Sequence, residues 1–261
     1  MATTDSPARH STAEAPGEQQ ESREGLSPAP PGHTPEAGAA IPHIPDAAHL
    51  TAMLRQRGVP EKVFEAAYHT KQFLEDDRMV LALATHPDAP SHIAATLLAR
   101  LPLFDLVKVC QLAGVSPDLK ATAERSIIQR IPGQPLGNRV TLAHRGTAAV
   151  VEALLREGNP RVVEACLENP HLKEGAVHRF IVSPQSTPET ISMVARHGRW
   201  KGKPNIRLAI LKNPRTPAVW YTVFLAGMSR STLRDLLAAP RLTAAQKDLV
   251  RQALGRPEQR P

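Results

Sequence analysis

Proline divides this chain into helical segments too short to stand alone. From about residue 48 onward, apolar residues recur at three- and four-residue spacing, and a Pro or Gly breaks the pattern about every 10–15 residues. The clearest unit is Ile206-Arg-Leu-Ala-Ile-Leu-Lys-Asn213-Pro214-Arg-Thr216-Pro217, continued by Ala218 to Leu225. A second runs from Val162 through Asn169-Pro170 and on from Gly175 to Val182. A third runs from Met79 through His86-Pro87 to Pro90 and on from Ser91 to Leu101. Ser116-Pro117, Ser183-Pro184 and Ala239-Pro240 mark weaker copies. Helices below about 12–15 residues are marginal in isolation, so each pair must bury its apolar side on the next.

The local chemistry of the punctuation is readable. A residue before Pro is pushed out of the α region, so Asn213 ends one helix. Thr216 is placed to cap the next through its hydroxyl, with Pro217 at the first helical position, where a missing N–H costs nothing. Ser186-Thr187-Pro188-Glu189 offers a similar start. Aromatics make up only 3% of the chain, so the core must be built from Ala, Leu, Val and Ile, whose small side chains let short helices approach closely. The expected fold is all-α: an α-solenoid of short stacked helix pairs over residues 48–254. The repeat is degenerate. Pro87 to Pro117 and Pro184 to Pro214 both span 30 residues, whereas other spacings are shorter.

Residues 1–47 differ in kind. They hold eight of the 25 prolines and almost no large apolar residues, and read as a disordered acidic Pro-rich tail. Pro28-Ala29-Pro30-Pro31 is a candidate polyproline patch. Residues 255–261 read as a frayed C-terminal tail. The tail carries two arginines (Arg9, Arg23) against seven acids, which leaves 30 basic and 18 acidic residues, a net +12, on the rest of a chain whose total is +7. A basic body suits an anionic partner, serves solubility, and permits the acidic tail to cover the basic face.

Two cysteines, Cys110 and Cys166, are too few for a disulfide framework and sit in apolar helical contexts. No secretory signal and no 18-residue apolar segment is present, so a reduced, cytoplasmic home is expected.

On Asn213-Pro214-Arg215-Thr216-Pro217 and its relatives at Asn169-Pro170 and His86-Pro87, the sequence resembles the leucine-rich repeat variant and HEAT-like α-solenoid proteins of bacteria. The resemblance covers most of residues 74–254. It implies a curved stack of helices with a concave surface used for binding. Leucine-rich repeat variant proteins can carry a cysteine cluster for an iron–sulfur centre; this chain has no such cluster, so that cofactor is not carried over.

The candidate binding residues are Arg196, Arg199, Trp200, Lys201, Lys203, Arg207, Lys212 and Arg215. Seven cations fall within 20 residues beside an exposed-looking Trp. Cations attract phosphate without regard to sequence, and Trp can stack on a base. The bland alternative is a solvated loop whose Trp200 packs on the next helix. Gly198 to Pro204 has the wrong glycine spacing for a phosphate loop and lacks its Ser or Thr. His171 and His178 lie seven apart, in register on a continuous helix, but no second ligand pair is nearby. Glu75-Asp76-Asp77 reads as a helix start. Asp105 and Asp235 are the acids a repair enzyme of HEAT-like fold would need, and nothing singles them out. Trp220 and Phe224, four apart, should meet on one helix face. No catalytic, metal or cofactor site is expected. The chain reads as a non-enzymatic interaction scaffold with a protein partner first. A nucleic-acid-binding HEAT-like module is the alternative.

Overall fold

The computed structural model describes residues 44–255, which contain sixteen α-helices, one 3-10 turn and no strand. The helices are α1 (Ala47–Met53), α2 (Glu61–His69), α3 (Lys71–Leu74), α4 (Asp77–Thr85), α5 (Ser91–Arg100), α6 (Leu103–Gln111), α7 (Pro117–Arg130), α8 (Leu136–Arg145), α9 (Ala148–Leu155), α10 (Pro160–Glu168), α11 (Glu174–Val182), α12 (Pro188–Arg196), α13 (Pro204–Lys212), α14 (Ala218–Leu225), α15 (Arg230–Leu237) and α16 (Ala244–Gly255). The 3-10 turn is Ile131–Gly133. The acidic tail as far as residue 43, with its polyproline patch, lies outside the described residues, as do residues 256–261.

Local chemistry places many of the helix starts. Asp46, Asp76, Ser116, Asn159, Thr187 and Ser229 each accept a backbone N–H of the first turn through a side-chain oxygen. Pro117, Pro160, Pro188 and Pro204 open their helices, where no donor is needed. Thr187 and Thr190 form a reciprocal capping box. The expected cap at Thr216 is not formed. Pro217 itself is the N-cap of α14, and the Thr216 hydroxyl turns back to donate to the Ile210 carbonyl. The reason is a tight turn in which the Thr216 N–H bonds the Asn213 carbonyl and draws Thr216 into the interior.

Helices pack chiefly on their neighbours one or two places along: α8 on α9 and α10, α10 on α12, α9 on α11, α11 on α13, and α14 on α16. One contiguous apolar cluster runs from Leu50 to Val250. It is mainly aliphatic, with Phe64, Phe73, Phe180, Trp200, Tyr221 and Phe224 set among Leu, Ile and Val. Each fully buried large side chain contributes about 1.5–3 kcal/mol, so the summed burial holds helices that would melt alone. Where α9 meets α10 the backbone approaches closely. Gly158 has φ +71°, and a Cβ there would lie 2.7 Å from the Gln185 carbonyl oxygen, so both conformation and space demand glycine.

A second set of links is polar. His86, Asn169, His197 and Asn213 all end a helix in extended conformation. In each, a ring nitrogen or amide oxygen accepts the N–H two residues on, and the residue's own carbonyl accepts the N–H three residues on. The rest of the side chain reaches an earlier helix end. Asn169 Nδ2 faces the carbonyls of Ala143 (2.8 Å), His144 and Gly146 at the C-terminal end of α8. Asn213 Nδ2 donates to the Ile181 carbonyl and to Ser186 Oγ (3.1 Å). His86 Nε2 meets the Gln56 carbonyl at 3.2 Å. At the far end, Gln246 Nε2 donates to the carbonyls of Pro214 (3.1 Å) and Thr216 (3.2 Å).

Both thiols are reduced and buried. Burial pushes Cys166 up to about 12 and Cys110 up to about 11. Native protein at pH 8 should therefore resist an aromatic disulfide reagent, with both thiols reacting once guanidinium unfolds the chain; prompt native labelling of Cys166 would contradict its packing. Asn213→Ala removes one of the two donors to the Ile181 carbonyl, the other being the Ser186 hydroxyl, and leaves the Arg215 N–H without its acceptor; it should cost about 2 kcal/mol in urea unfolding followed by circular dichroism.

Candidate partner-binding surface

The basic stretch between α12 and α14 does not act as one patch. Trp200 is buried, 1% exposed, and its Nε1 donates to the Leu167 carbonyl at 3.4 Å. The expectation of an exposed, stacking Trp is thus overturned. The turn that starts at His197 places Trp200 at its fourth position, which points into the core, as Leu172 and Thr216 do in the sister turns. Arg199 is committed to the same turn. Its guanidinium lies 4.4 Å from the Trp200 ring centre and donates to the carbonyls of Asn169 (2.8 Å), Pro170 (3.2 Å) and Leu172 (2.7 Å). These carbonyls belong to the turn between α10 and α11, so Arg199 ties one turn to the next.

Other members are also engaged. Arg207 Nε donates to the Lys201 carbonyl at 2.5 Å, and its guanidinium lies 5.6 Å from the Phe224 ring centre. Lys203 pairs with Glu174 at 3.8 Å. Arg215 donates to the carbonyls of Pro184 and Ser186 (2.9 Å to the latter). The side chains of Arg196, Lys201 and Lys212 are exposed and have no hydrogen-bond or ion-pair partner among the described residues.

Two of the stretch's cations, Lys212 and Arg215, join a cation that the sequence reading missed. A groove of about 700 Å³ crosses the turns that follow α11, α13 and α15. Its apolar floor is Val182, Pro184, Pro214, Ala239 and Pro240, and its cations are Lys212, Arg215 and Arg241. The signal for Arg241 is in the sequence. Ala239-Pro240-Arg241-Leu242 repeats the Pro-Arg pair of Asn213-Pro214-Arg215-Thr216, with a buried fourth residue in each. Three other hollows carry acids among their lining: Glu174 beside Lys212, Glu152 between Arg156 and Arg179, and Glu164 and Glu168 beside Arg161.

Groups with displaced acidity have structural causes. The Asp88 carboxylate accepts the N–H groups of Val59 (3.1 Å) and Gly58 (2.6 Å), which hold its pKa below the usual range. At Glu152, burial works against the charge, but hydrogen bonds from Arg179 (2.8 Å) and Arg156 (2.6 Å) outweigh it and lower the pKa. Burial raises Tyr221, whose hydroxyl donates to the Leu211 carbonyl at 2.5 Å. His171 lies in the turn before α11 and His178 within it, so the two do not share a helix. Among the described residues no group of three His, Cys, Asp or Glu side chains is placed to hold a metal. Asp76 caps α4 as expected, and the Trp220 and Phe224 rings stack at 5.6 Å. Asp105 pairs with Lys108 at 2.6 Å. No described helix is long and apolar enough to cross a membrane.

Compared with known proteins, the chain matches no protein-family model, no curated protein and no solved structure.

Substitutions should sort the basic stretch by its contacts. Trp200→Ala should lose about 3–5 kcal/mol of stability and Arg199→Ala about 1 kcal/mol, while Arg196→Ala leaves the urea midpoint unchanged. Equal midpoints for all three would overturn the burial argument.

Proposed function

We propose that the protein is a non-catalytic interaction scaffold, an α-solenoid of the leucine-rich repeat variant or HEAT-like kind, that binds a protein partner along its helical surface. The observation that carries the reading is a recurring arginine, at a helix end or in the turn that follows, that reaches back one helix pair. Arg130 bonds Leu101 and Ala99, Arg199 bonds the turn at Asn169, and Arg215 bonds the turn at Pro184, each 27–31 residues earlier. A stack joined in this way is quasi-one-dimensional and offers an extended surface with open grooves, the usual recognition platform of repeat proteins. Free, buried thiols suit a reduced, cytoplasmic setting.

The nucleic-acid alternative loses its main supports. Trp200 is inside, Arg199 is spent on carbonyls, and the basic groove has no aromatic side chain in its lining on which bases could stack. A salt titration with duplex DNA separates the two readings. The scaffold reading expects affinity weaker than about 100 µM at physiological salt. Micromolar or tighter binding, with a log–log salt slope of about −5 or steeper, would make the protein a nucleic-acid binder.

A further inference from the structure

We propose that the groove across the turns at Pro184, Pro214 and Pro240 is the docking site for an acidic, extended peptide segment of the partner protein. The proposal rests on the scaffold reading and names the partner's chemistry and its place of contact.

Charge is the first argument. Lys212, Arg215 and Arg241 line one depression, and no acid is among the lining residues. Like charges gathered over low-dielectric walls repel one another in the free chain and focus a positive potential that an anionic ligand relieves. A competing account is that these cations answer the negative ends of α11, α13 and α15. That demand is already met by other groups. The Ile181 carbonyl of α11 is bonded by Asn213 and Ser186, the Ile210 and Leu211 carbonyls of α13 by the Thr216 and Tyr221 hydroxyls, and the Arg234 and Leu236 carbonyls of α15 by the N–H groups of Ala238 and Ala239. Lys212 and Arg241 have no partner among the described residues, so their charge is left for a ligand.

The floor of the groove is apolar. Three proline rings, Val182 and Ala239 give the groove a hydrophobic surface, and Val182 is 46% exposed, whereas Ala176, Val177, Phe180 and Ile181 of the same helix are buried. A chain segment that alternates carboxylates with apolar side chains satisfies both features. A nucleic-acid strand uses only the first, because no aromatic lines the groove.

The walls are also held in place. Asn213 and Arg215 bond the turn after α13 to the turn after α11, and Gln246, in the first turn of α16, bonds the turn after α13 in its own right. Walls held this way need little ordering when a ligand arrives, which lowers the entropic cost of binding.

The test is selection of random twelve-residue peptides displayed on phage against the full chain at physiological salt, followed by calorimetry with the winning synthetic peptides. Winners should carry two or more Asp or Glu beside an apolar residue. The double reversal Lys212→Glu with Arg241→Glu should weaken their binding about tenfold or more, as should raising the salt to about 0.5 M. Arg78→Glu, an exposed cation on α4, should leave it unchanged. Neither reversed side chain has a partner among the described residues, so an unchanged melting temperature certifies the fold. Val182→Asp gives a second, independent loss. Winners that are neutral or basic, acidic winners indifferent to the double reversal, or a dT20 strand that outcompetes the peptides for the groove would each overturn the proposal. In the second case, with cross-linking that maps a protein partner to another part of the surface, the scaffold reading stands and the groove assignment falls. If selection yields no binder and cross-linking yields no partner, both fall.

Discussion

A helix that stops at a proline leaves carbonyl oxygens without partners, and the rest of this structure depends on how those oxygens are satisfied. At Asn169 and Asn213 one amide does three things. It ends its own helix, accepts the N–H of the next turn through oxygen, and donates through nitrogen to a helix end at least 23 residues earlier. His86 and His197 meet the first two requirements with an imidazole, Nδ1 taking the place of the amide oxygen. Buried carbonyls left unpaired would each cost about 1–3 kcal/mol, comparable to the burial of a large side chain, so these links help set the spacing between helix pairs as well as decorating it.

The same turns explain why a cluster of cations in sequence is not a cluster in function. A turn with its fourth residue buried needs a filler at that position, and Trp200, Leu172, Thr216 and Leu242 supply it. The third residue then lies beside the preceding turn. At Arg199 and Arg215 it is a guanidinium, whose fork of donors can bond several carbonyls at once. Positive charge that composition alone assigns to solvent or to phosphate is therefore divided between internal carbonyls and a few free ammonium and guanidinium groups. Lys212 and Arg241 belong to the free set, and the groove they share is lined by prolines and holds no acid.

Much of the fold was legible. The starts at Asp76 and Thr187, the stops at His86, Asn169 and Asn213, and the burial of Cys110 and Cys166 follow from side-chain chemistry within a few residues of each position, whereas Ser116-Pro117, which resembles the helix stops, instead opens α7. The Thr216 cap was misread because two local patterns compete there. A Thr before Pro resembles an N-cap, but the preceding Asn-Pro turn has already claimed its N–H and turned the side chain inward. The candidate surface was half legible: Lys212 and Arg215 lie in it, Trp200 and Arg199 do not, and Arg241 was hidden in a weaker copy of the turn.

What the sequence by itself determined is where helices begin and end. Proline lacks an N–H, restricts the residue before it, and acts within one or two positions whatever surrounds it. Only the tertiary structure decided which side of each turn meets the core and which turns line up to form a groove. Those outcomes depend on contacts between residues about 30 apart, such as Asn213 with Ile181 and Arg215 with Pro184, and with unequal repeat spacings no local rule fixes how one helix pair is rotated on the next.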